Sequence, residues 1–208
     1  MIRNRLNELM KIKKVRVKDL NEQLGISRAT LVKIRENTAT QMRYDTINKL
    51  CKFLNVTLDD FFEYTPLDIT IEPQIDYTDV EKIKEADKDP NKFTTLEFLD
   101  SRLIISVDSV QYYYLVDDCK YMPDDLFYIS FISAYDLVHE PGLKEEYPNA
   151  QQTDELVKDW NSLSDGFKND LKKELYGSVK KGYELEKSSC KIIIDIDFLD
   201  DDSTGSVD

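Results

Sequence analysis

The chain has few of the residues that build metal sites, disulfide frameworks or membrane spans. Its 208 residues include one histidine and three cysteines, and no apolar run approaches the roughly 18 residues that a spanning helix needs. The cysteines are isolated and odd in number, so we interpret Cys51, Cys119 and Cys190 as core thiols. The start of the chain predicts a folded helix rather than a targeting segment, and we expect a cytoplasmic protein with no membrane partner.

The shortage of histidine also excludes several catalytic classes. The segment His139 to Leu143, HEPGL, begins like a zinc-protease signature, but that motif needs a second histidine one turn later. Self-cleaving repressors require an Ala-Gly cleavage site, and no such dipeptide occurs. Cupin-type sensors need several histidine ligands. We therefore predict no enzyme, no catalytic residue, no metal and no cofactor, with His139 on the surface or in a loop.

Charge divides the chain into two unlike parts. Residues 1–64 carry 13 Lys and Arg against 8 Asp and Glu, whereas residues 65–208 carry 15 against 33, which together give the net charge of −13. A basic part suits a polyanion, and an acidic part repels DNA. We predict a domain at 1–64, a second acidic domain at 66–199 and a disordered acidic tail at 200–208.

The most specific segment is VKDLNEQLGISRATLVKIRE, residues 17–36. Val17, Leu20 and Leu24 share one helical face, and Gly25 offers the positive φ that ends a helix. Ser27 is a good N-cap for a second helix whose Leu31 and Ile34 turn inward. The outward residues of that second helix are then available to base edges in a major groove; they are Arg28, Ala29, Thr30, Val32 and Lys33.

Residues 1–64, from IRNRLNELM through GISRATLVKI to DTINKLCKFLNVTLDDFFEY, resemble the XRE-type helix-turn-helix domains of Cro and phage repressors. The resemblance implies an all-α domain of five helices that binds double-stranded DNA. It implies base reading by Arg28, Ala29, Thr30 and Lys33, and backbone contacts by Arg16, Lys18, Ser27 and Arg43. The chain departs from the family at Val17, which is often Gln, and at Asn21, which is usually Ala.

Periodicity predicts the cores of both domains. In the first, Ile2, Leu6 and Leu9 should face inward from helix one, and Ile47, Leu50, Cys51 and Leu54 from helix four. In the second, strand-like runs at 67–71, 103–107, 112–116, 126–132 and 190–198 lie on either side of a helical pair at 156–179. Since βαβ units do not alternate regularly, we predict an α+β domain with a mostly antiparallel sheet.

Two clusters in the second domain are ambiguous. An acidic group near the end suggests either a cation site or a solvated tail, and we favour the tail because the calcium-loop pattern is absent; its members are Asp195, Asp197, Asp200, Asp201 and Asp202. An aromatic group suggests either a partner surface or sheet core; its members are Tyr112, Tyr113, Tyr114, Tyr121, Phe127 and Tyr128.

We therefore expect a transcriptional regulator, in particular a repressor, that binds an inverted-repeat operator as a homodimer. One alternative is an anti-CRISPR protein of a phage or mobile element, because the two-part charge pattern looks like an autorepressor domain fused to an acidic inhibitor. Its partner would be a basic nucleic-acid-binding protein or nuclease. Another alternative is a small-molecule sensor, which would need a pocket in the second domain.

Overall fold

The computed structural model describes residues 1–86, 94–96, 99–122, 126–137, 143–147, 149–185 and 191–196. The chain divides into two compact units, Met1–Pro66 and Leu67–Asp208. His139, Cys190 and the predicted tail at 200–208 lie outside the described residues. Within the described part of the chain, no helix combines the length and apolar character that a membrane crossing requires.

The first unit contains five short helices and a small sheet. The helices are α1 (Leu6–Lys13), α2 (Val17–Leu24), α3 (Arg28–Arg35), α4 (Tyr44–Leu54) and α5 (Leu58–Phe61), and the strands are β1 (Ile2–Asn4) and β2 (Phe62–Tyr64). The two strands pair antiparallel, with Ile2 opposite Tyr64. The prediction of an all-α domain was therefore wrong in this respect. Ile2 lies in β1 and is 72% exposed, because cross-strand pairing holds the residues before α1 in an extended conformation.

The core of the first unit follows the predicted helical spacing at Leu6, Leu9, Leu50 and Leu54, whereas Ile47 is only half-buried. Its buried residues come from every helix and from the turn between α2 and α3; they are Leu6, Leu9, Met10, Leu20, Ile26, Leu31, Ile34, Leu50, Leu54 and Phe61. Cys51 packs only partly against this core. A unit of this size buries a small apolar area, so single polar contacts contribute a large share of its stability.

The second unit combines a six-stranded sheet with four helices in the residues described. The strands are β3 (Ile69–Gln74), β4 (Thr94–Thr95), β5 (Arg102–Val107), β6 (Val110–Met122), β7 (Leu126–Ser133) and β8 (Lys191–Ile196). The helices are α6 (Tyr77–Ala86), α7 (Leu143–Glu146), α8 (Asp154–Ser162) and α9 (Asp165–Gly182). The strand order is β3-β5-β6-β7-β8, and β4 pairs with β6.

The sheet is mixed, which corrects the prediction of a mostly antiparallel one. The chain from β3 to β7 forms antiparallel pairs, but β8 pairs in parallel with β7, with Leu126 opposite Lys191. A parallel neighbour needs a long crossover, and α7, α8 and α9 lie in the connection between these two strands. The helical pair that the sequence predicts is thus part of a β-α-β crossover.

Some residues of the aromatic group that begins at Tyr112 lie in the core of the second unit, and others are half-buried. Tyr112, Tyr114 and Phe127 are buried, and the Phe127 ring lies 5.8 Å from the ring of Tyr183 just after α9. Tyr113 is half-buried. The alternation of a strand therefore sends neighbouring members of the Tyr112 to Tyr114 run to opposite faces of the sheet.

Candidate nucleic-acid interface

The turn between α2 and α3 depends on one glycine and one asparagine. Gly25 ends α2 in the left-handed region, with φ of 68°, and its backbone N–H donates to the Asn21 carbonyl at 3.1 Å. The Asn21 side chain also donates from Nδ2 to the Ile26 carbonyl at 2.8 Å. Asn21, which departs from the family pattern, thus links α2 to the turn before α3 with a hydrogen bond that alanine could not make.

Helix α3 begins with the predicted side-chain cap. Ser27 Oγ accepts a hydrogen bond from the Thr30 backbone N–H at 3.1 Å, and the two hydroxyls lie 2.8 Å apart. This cap satisfies one of the amide groups that a helix N-terminus otherwise leaves unpaired. The hydroxyl of Thr30 is therefore oriented by Ser27 at the end of α3 that the sequence predicts to approach bases.

The two faces of α3 are sharply different. Leu31 and Ile34 are buried at 0% and 1% exposure, which anchors the helix to the core. The four predicted base-reading residues are all exposed; they are Arg28, Ala29, Thr30 and Lys33. No ion pair joins Arg28 or Lys33 to another residue in the part of the chain that the structure describes. Helix α3 thus presents two cations and two small side chains to solvent.

The predicted backbone-contacting residues are exposed at the starts of the helices. Arg16 directly precedes α2, is 82% exposed and lies 3.6 Å from Asp19. Lys18 is 60% exposed and lies 3.7 Å from Glu22. Arg43 directly precedes α4 and is also exposed. Ion pairs as open as those of Arg16 and Lys18 contribute little stability, so both cations can exchange a carboxylate for a phosphate at low cost.

An asparagine pair that the sequence analysis missed fixes the other end of α3. Asn4 is 4% exposed, and its Nδ2 donates to the Ile34 carbonyl at 2.8 Å and to Asn37 Oδ1 at 2.5 Å. In return, Asn37 Nδ2 donates to the Asn4 carbonyl at 3.0 Å. Asn37 has a φ of 54°, a conformation that asparagine tolerates better than most residues. These bonds tie the C-terminal end of α3 to β1.

A buried arginine links the same strand to α1 and β2. Arg3 is 5% exposed and forms ion pairs with Glu63 at 2.6 Å and with Glu8 at 2.5 Å. Burial is the largest single influence on the Glu8 carboxyl and raises its pKa. The hydrogen bond and charge of Arg3, a backbone hydrogen bond and the charge of Arg5 together outweigh burial and hold that pKa below its ordinary value. This network satisfies a buried charge and has a structural role.

Several clustered acidic residues of the second unit interact with protein groups in the part of the chain that the structure describes. Asp76, Asp79 and Asp100 lie within 4.8 Å of one another, but Ser101 donates twice to Asp79 Oδ2, at 2.7 and 2.6 Å. Lys82 also lies 3.6 Å from Asp79 Oδ1. We interpret this group as a hydrogen-bonded start to α6. Of the acidic group near the end of the chain, Asp195 accepts from the Tyr128 hydroxyl at 2.8 Å, and Asp197, Asp200, Asp201 and Asp202 lie outside the described residues.

The turn at Gly25, the buried inner positions of α3 and its exposed cationic face define a helix-turn-helix unit of the DNA-binding class. Residues 5–66 match the family model of the Cro/C1-type HTH DNA-binding domain, which confirms the resemblance seen in the sequence for this part of the chain. A solved structure of a candidate DNA-binding protein from Bacteroides fragilis also matches, with 27% identity. That match covers 30% of this chain and 100% of the other, at a TM-score of 0.29, too low to support a conclusion. No protein of curated function matches the chain.

Proposed function

We propose that the protein is a sequence-specific DNA-binding transcriptional regulator in which α3 reads the major groove. The observation that carries this proposal is the contrast between the two faces of α3, which is anchored by Leu31 and Ile34 and exposes Arg28 and Lys33. Arginine and lysine can donate to guanine O6 and N7, and Ala29 can contact a thymine methyl group. The basic balance of residues 1–64 supports attraction to the phosphate backbone.

We further propose that the regulator is a repressor that binds an inverted repeat as a homodimer. One reading helix covers only a few base pairs, so useful discrimination requires two copies on half-sites about 34 Å apart. The second unit is the proposed source of dimerisation, because its excess of carboxylates makes it unsuited to contact DNA directly. Repression then follows if the operator overlaps a promoter, where the bound dimer excludes polymerase.

The test begins with selection of a binding site from random duplex DNA by the full-length protein. Arg28→Ala and Lys33→Ala should each reduce preference for the selected site about 5- to 150-fold, because a lost bidentate base contact costs about 1–3 kcal/mol. Lys52→Ala is the matched control, since Lys52 is an exposed cation near the end of α4. Circular dichroism should be unchanged in all three variants.

Two results would contradict the proposal. If both Arg28→Ala and Lys33→Ala keep the full preference for the selected sequence over a scrambled one, then α3 does not read bases. A selection that yields no enriched sequence would also contradict sequence specificity. Analytical ultracentrifugation of the protein–DNA complex tests the proposed homodimer. The proposal predicts two protein chains for each inverted repeat.

A second candidate function is supported by the charge of residues 65–208. With 33 acidic against 15 basic residues, this part of the chain could occupy the basic nucleic-acid channel of a nuclease by charge complementarity. In that case the first unit would regulate its own operon, as in an anti-CRISPR protein. The two functions use different units and are separable by substitutions in α3.

A further inference from the structure

A cleft in the second unit contains a fixed arginine beside two aromatic rings. We name it the Arg102 cleft. Its volume is about 340 Å³, and it is lined by Gln74, Arg102, Ile104, Tyr113, Glu146, Tyr147 and Asn149. Ligand sites in proteins commonly have volumes of about 300–1,000 Å³. The cleft is therefore large enough for a molecule of one ring and a few substituents.

The guanidinium group of Arg102 is held in one orientation by two neutral partners. Arg102 lies on β5 directly opposite Gln74 on β3, and its Nε donates to Gln74 Oε1 at 2.7 Å. Its Nη1 donates to the Tyr147 hydroxyl at 3.0 Å. The hydrogen bond to Tyr147 raises the pKa of Arg102 above its ordinary value, so the group stays charged.

The second terminal nitrogen of Arg102 remains available to a ligand. Among the residues that the structure describes, none accepts a hydrogen bond from Nη2. A guanidinium that is already oriented loses less entropy when it binds a planar anion, and carboxylates match its geometry. The side chain is 38% exposed, so an incoming ligand can reach it from solvent.

One side of the cleft is formed by aromatic and aliphatic side chains, whereas Gln74, Glu146 and Asn149 add polar groups to the rest of its lining. The rings of Tyr113 and Tyr147 lie 5.5 Å apart between centroids and are tilted by 51°. Ile104 is opposite Tyr113 across the β5–β6 pair and is 8% exposed. A ring bound here would contact aromatic and aliphatic surface while a carboxylate attached to it faced Arg102.

One acidic residue competes with an anionic ligand. Glu146 Oε1 lies 3.7 Å from Arg102 Nη1, beyond hydrogen-bond distance, and its side chain is 58% exposed. So exposed a pair is worth little in stability, and Glu146 can move into solvent. The negative charge of Glu146 nevertheless opposes the entry of a carboxylate. Replacing Glu146 by a neutral residue should therefore strengthen the binding of an anion.

We propose that the Arg102 cleft binds a small aromatic carboxylate, with the carboxylate on the Arg102 guanidinium and the ring against Tyr113 and Ile104. The proposal does not depend on DNA binding by the first unit. The chemistry selects a planar anion over a neutral amide of the same shape, because only the anion forms a charge-assisted bond with the guanidinium.

Isothermal titration of the full-length protein with benzoate tests the proposal, with benzamide as the neutral analogue of the same shape. Benzoate should bind saturably and benzamide at least about tenfold more weakly, since a charge-assisted bond is lost. Arg102→Gln should abolish benzoate binding. Glu146→Gln should tighten it about two- to fivefold, as expected on removal of an exposed opposing charge.

Glu145→Gln is the matched control, because Glu145 is an exposed acid on the same short helix. It should change benzoate affinity much less than Glu146→Gln. Fluorescence of Trp160, the sole and buried tryptophan, reports whether the second unit stays folded. If Arg102→Gln perturbs that signal, Arg102→Lys replaces it, since lysine keeps the charge but loses the planar donor pair and should weaken binding.

Several outcomes would overturn the proposal. No saturable benzoate binding, equal affinity for benzoate and benzamide, or full binding by the folded arginine variants would each exclude the assigned contact. Equal effects of Glu146→Gln and Glu145→Gln would show a general effect of net charge. Inorganic phosphate that binds as tightly as benzoate would show a simple anion site with no role for the aromatic walls.

Discussion

Asn4→Ala should loosen helix α3 without altering any residue on its exposed face. The Asn4 side chain makes three hydrogen bonds, as donor to the Ile34 carbonyl and to Asn37 Oδ1 and as acceptor from the Leu6 backbone N–H. All three disappear in the variant. The Leu6 amide at the start of α1 then loses its Asn4 acceptor, whereas the Ile34 carbonyl at the end of α3 keeps the hydrogen bond from the Asn37 backbone N–H.

The size of the effect follows from the burial of that side chain. A typical hydrogen bond contributes about 0.5–1.5 kcal/mol net, so the loss of three predicts a destabilisation of about 1.5–4.5 kcal/mol. A unit of 66 residues has a total stability of only about 3–10 kcal/mol at ordinary values per residue. Asn4→Ala should therefore remove a large fraction of the free energy that holds α3 in place.

Hydrogen exchange of the full-length protein, measured by mass spectrometry, provides the assay. Where the rate of exchange follows the opening equilibrium, amides of α3 should exchange about 10- to 2,000-fold faster, which is the same destabilisation expressed as a ratio of rates. The control is Asn48→Ala, which replaces an exposed asparagine within α4 by a better helix former and should slow exchange or leave it unchanged.

Equal exchange of α3 in the two variants would refute the reasoning. It would mean that water replaces the contacts of Asn4 at no cost, so that the Asn4–Asn37 pair does not anchor the helix. Exchange in the second unit serves as an internal reference, because Asn4 is bonded only to residues of the first unit among its described contacts.

Two further predictions concern acid stability and the acidic unit. The lowered pKa of Glu8 means that its bond to Arg3 stabilises the fold above the ordinary carboxyl value of 4.5 and is lost as pH falls below it. In urea titrations, the stability difference between wild type and Glu8→Gln should therefore shrink below about pH 4.5; a constant difference would contradict this. If the acidic unit blocks a nuclease, the purified protein should inhibit a guided nuclease at low salt and less at high salt, and Arg28→Ala should inhibit equally. Absence of inhibition at low salt would reject that function.

The first unit was largely predictable because its signals are local. Gly25 and Ser27 lie at helix ends whose geometry depends on near neighbours, and both have the predicted roles. The spacing of Leu31 and Ile34 likewise fixes which face of α3 is exposed. The assignment of individual base-reading residues stays a prediction. The Asn4–Asn37 pair was not predictable, since it joins residues 33 positions apart with no periodic pattern.

The second unit was less predictable because its strand pairing joins residues that are far apart in the sequence. Alternation located most of its strands, but pairing direction depends on how the chain between strands returns, and the crossover before β8 escaped detection. The Arg102 cleft had no signal in the sequence at all. It brings together residues 74, 102 and 147, each of which is ordinary in its own segment.

The late position of β8 has a consequence for synthesis on the ribosome. The DNA-binding unit has all its elements once residue 66 has left the exit tunnel, whereas β7 cannot gain its parallel neighbour until residues 191–196 emerge. At about 5–20 residues per second, the two events are separated by roughly 6–25 seconds. During that interval the nascent chain carries a complete first unit and a second-unit sheet in which one side of β7 is still unpaired, so a chaperone or a neighbouring chain can pair with that edge.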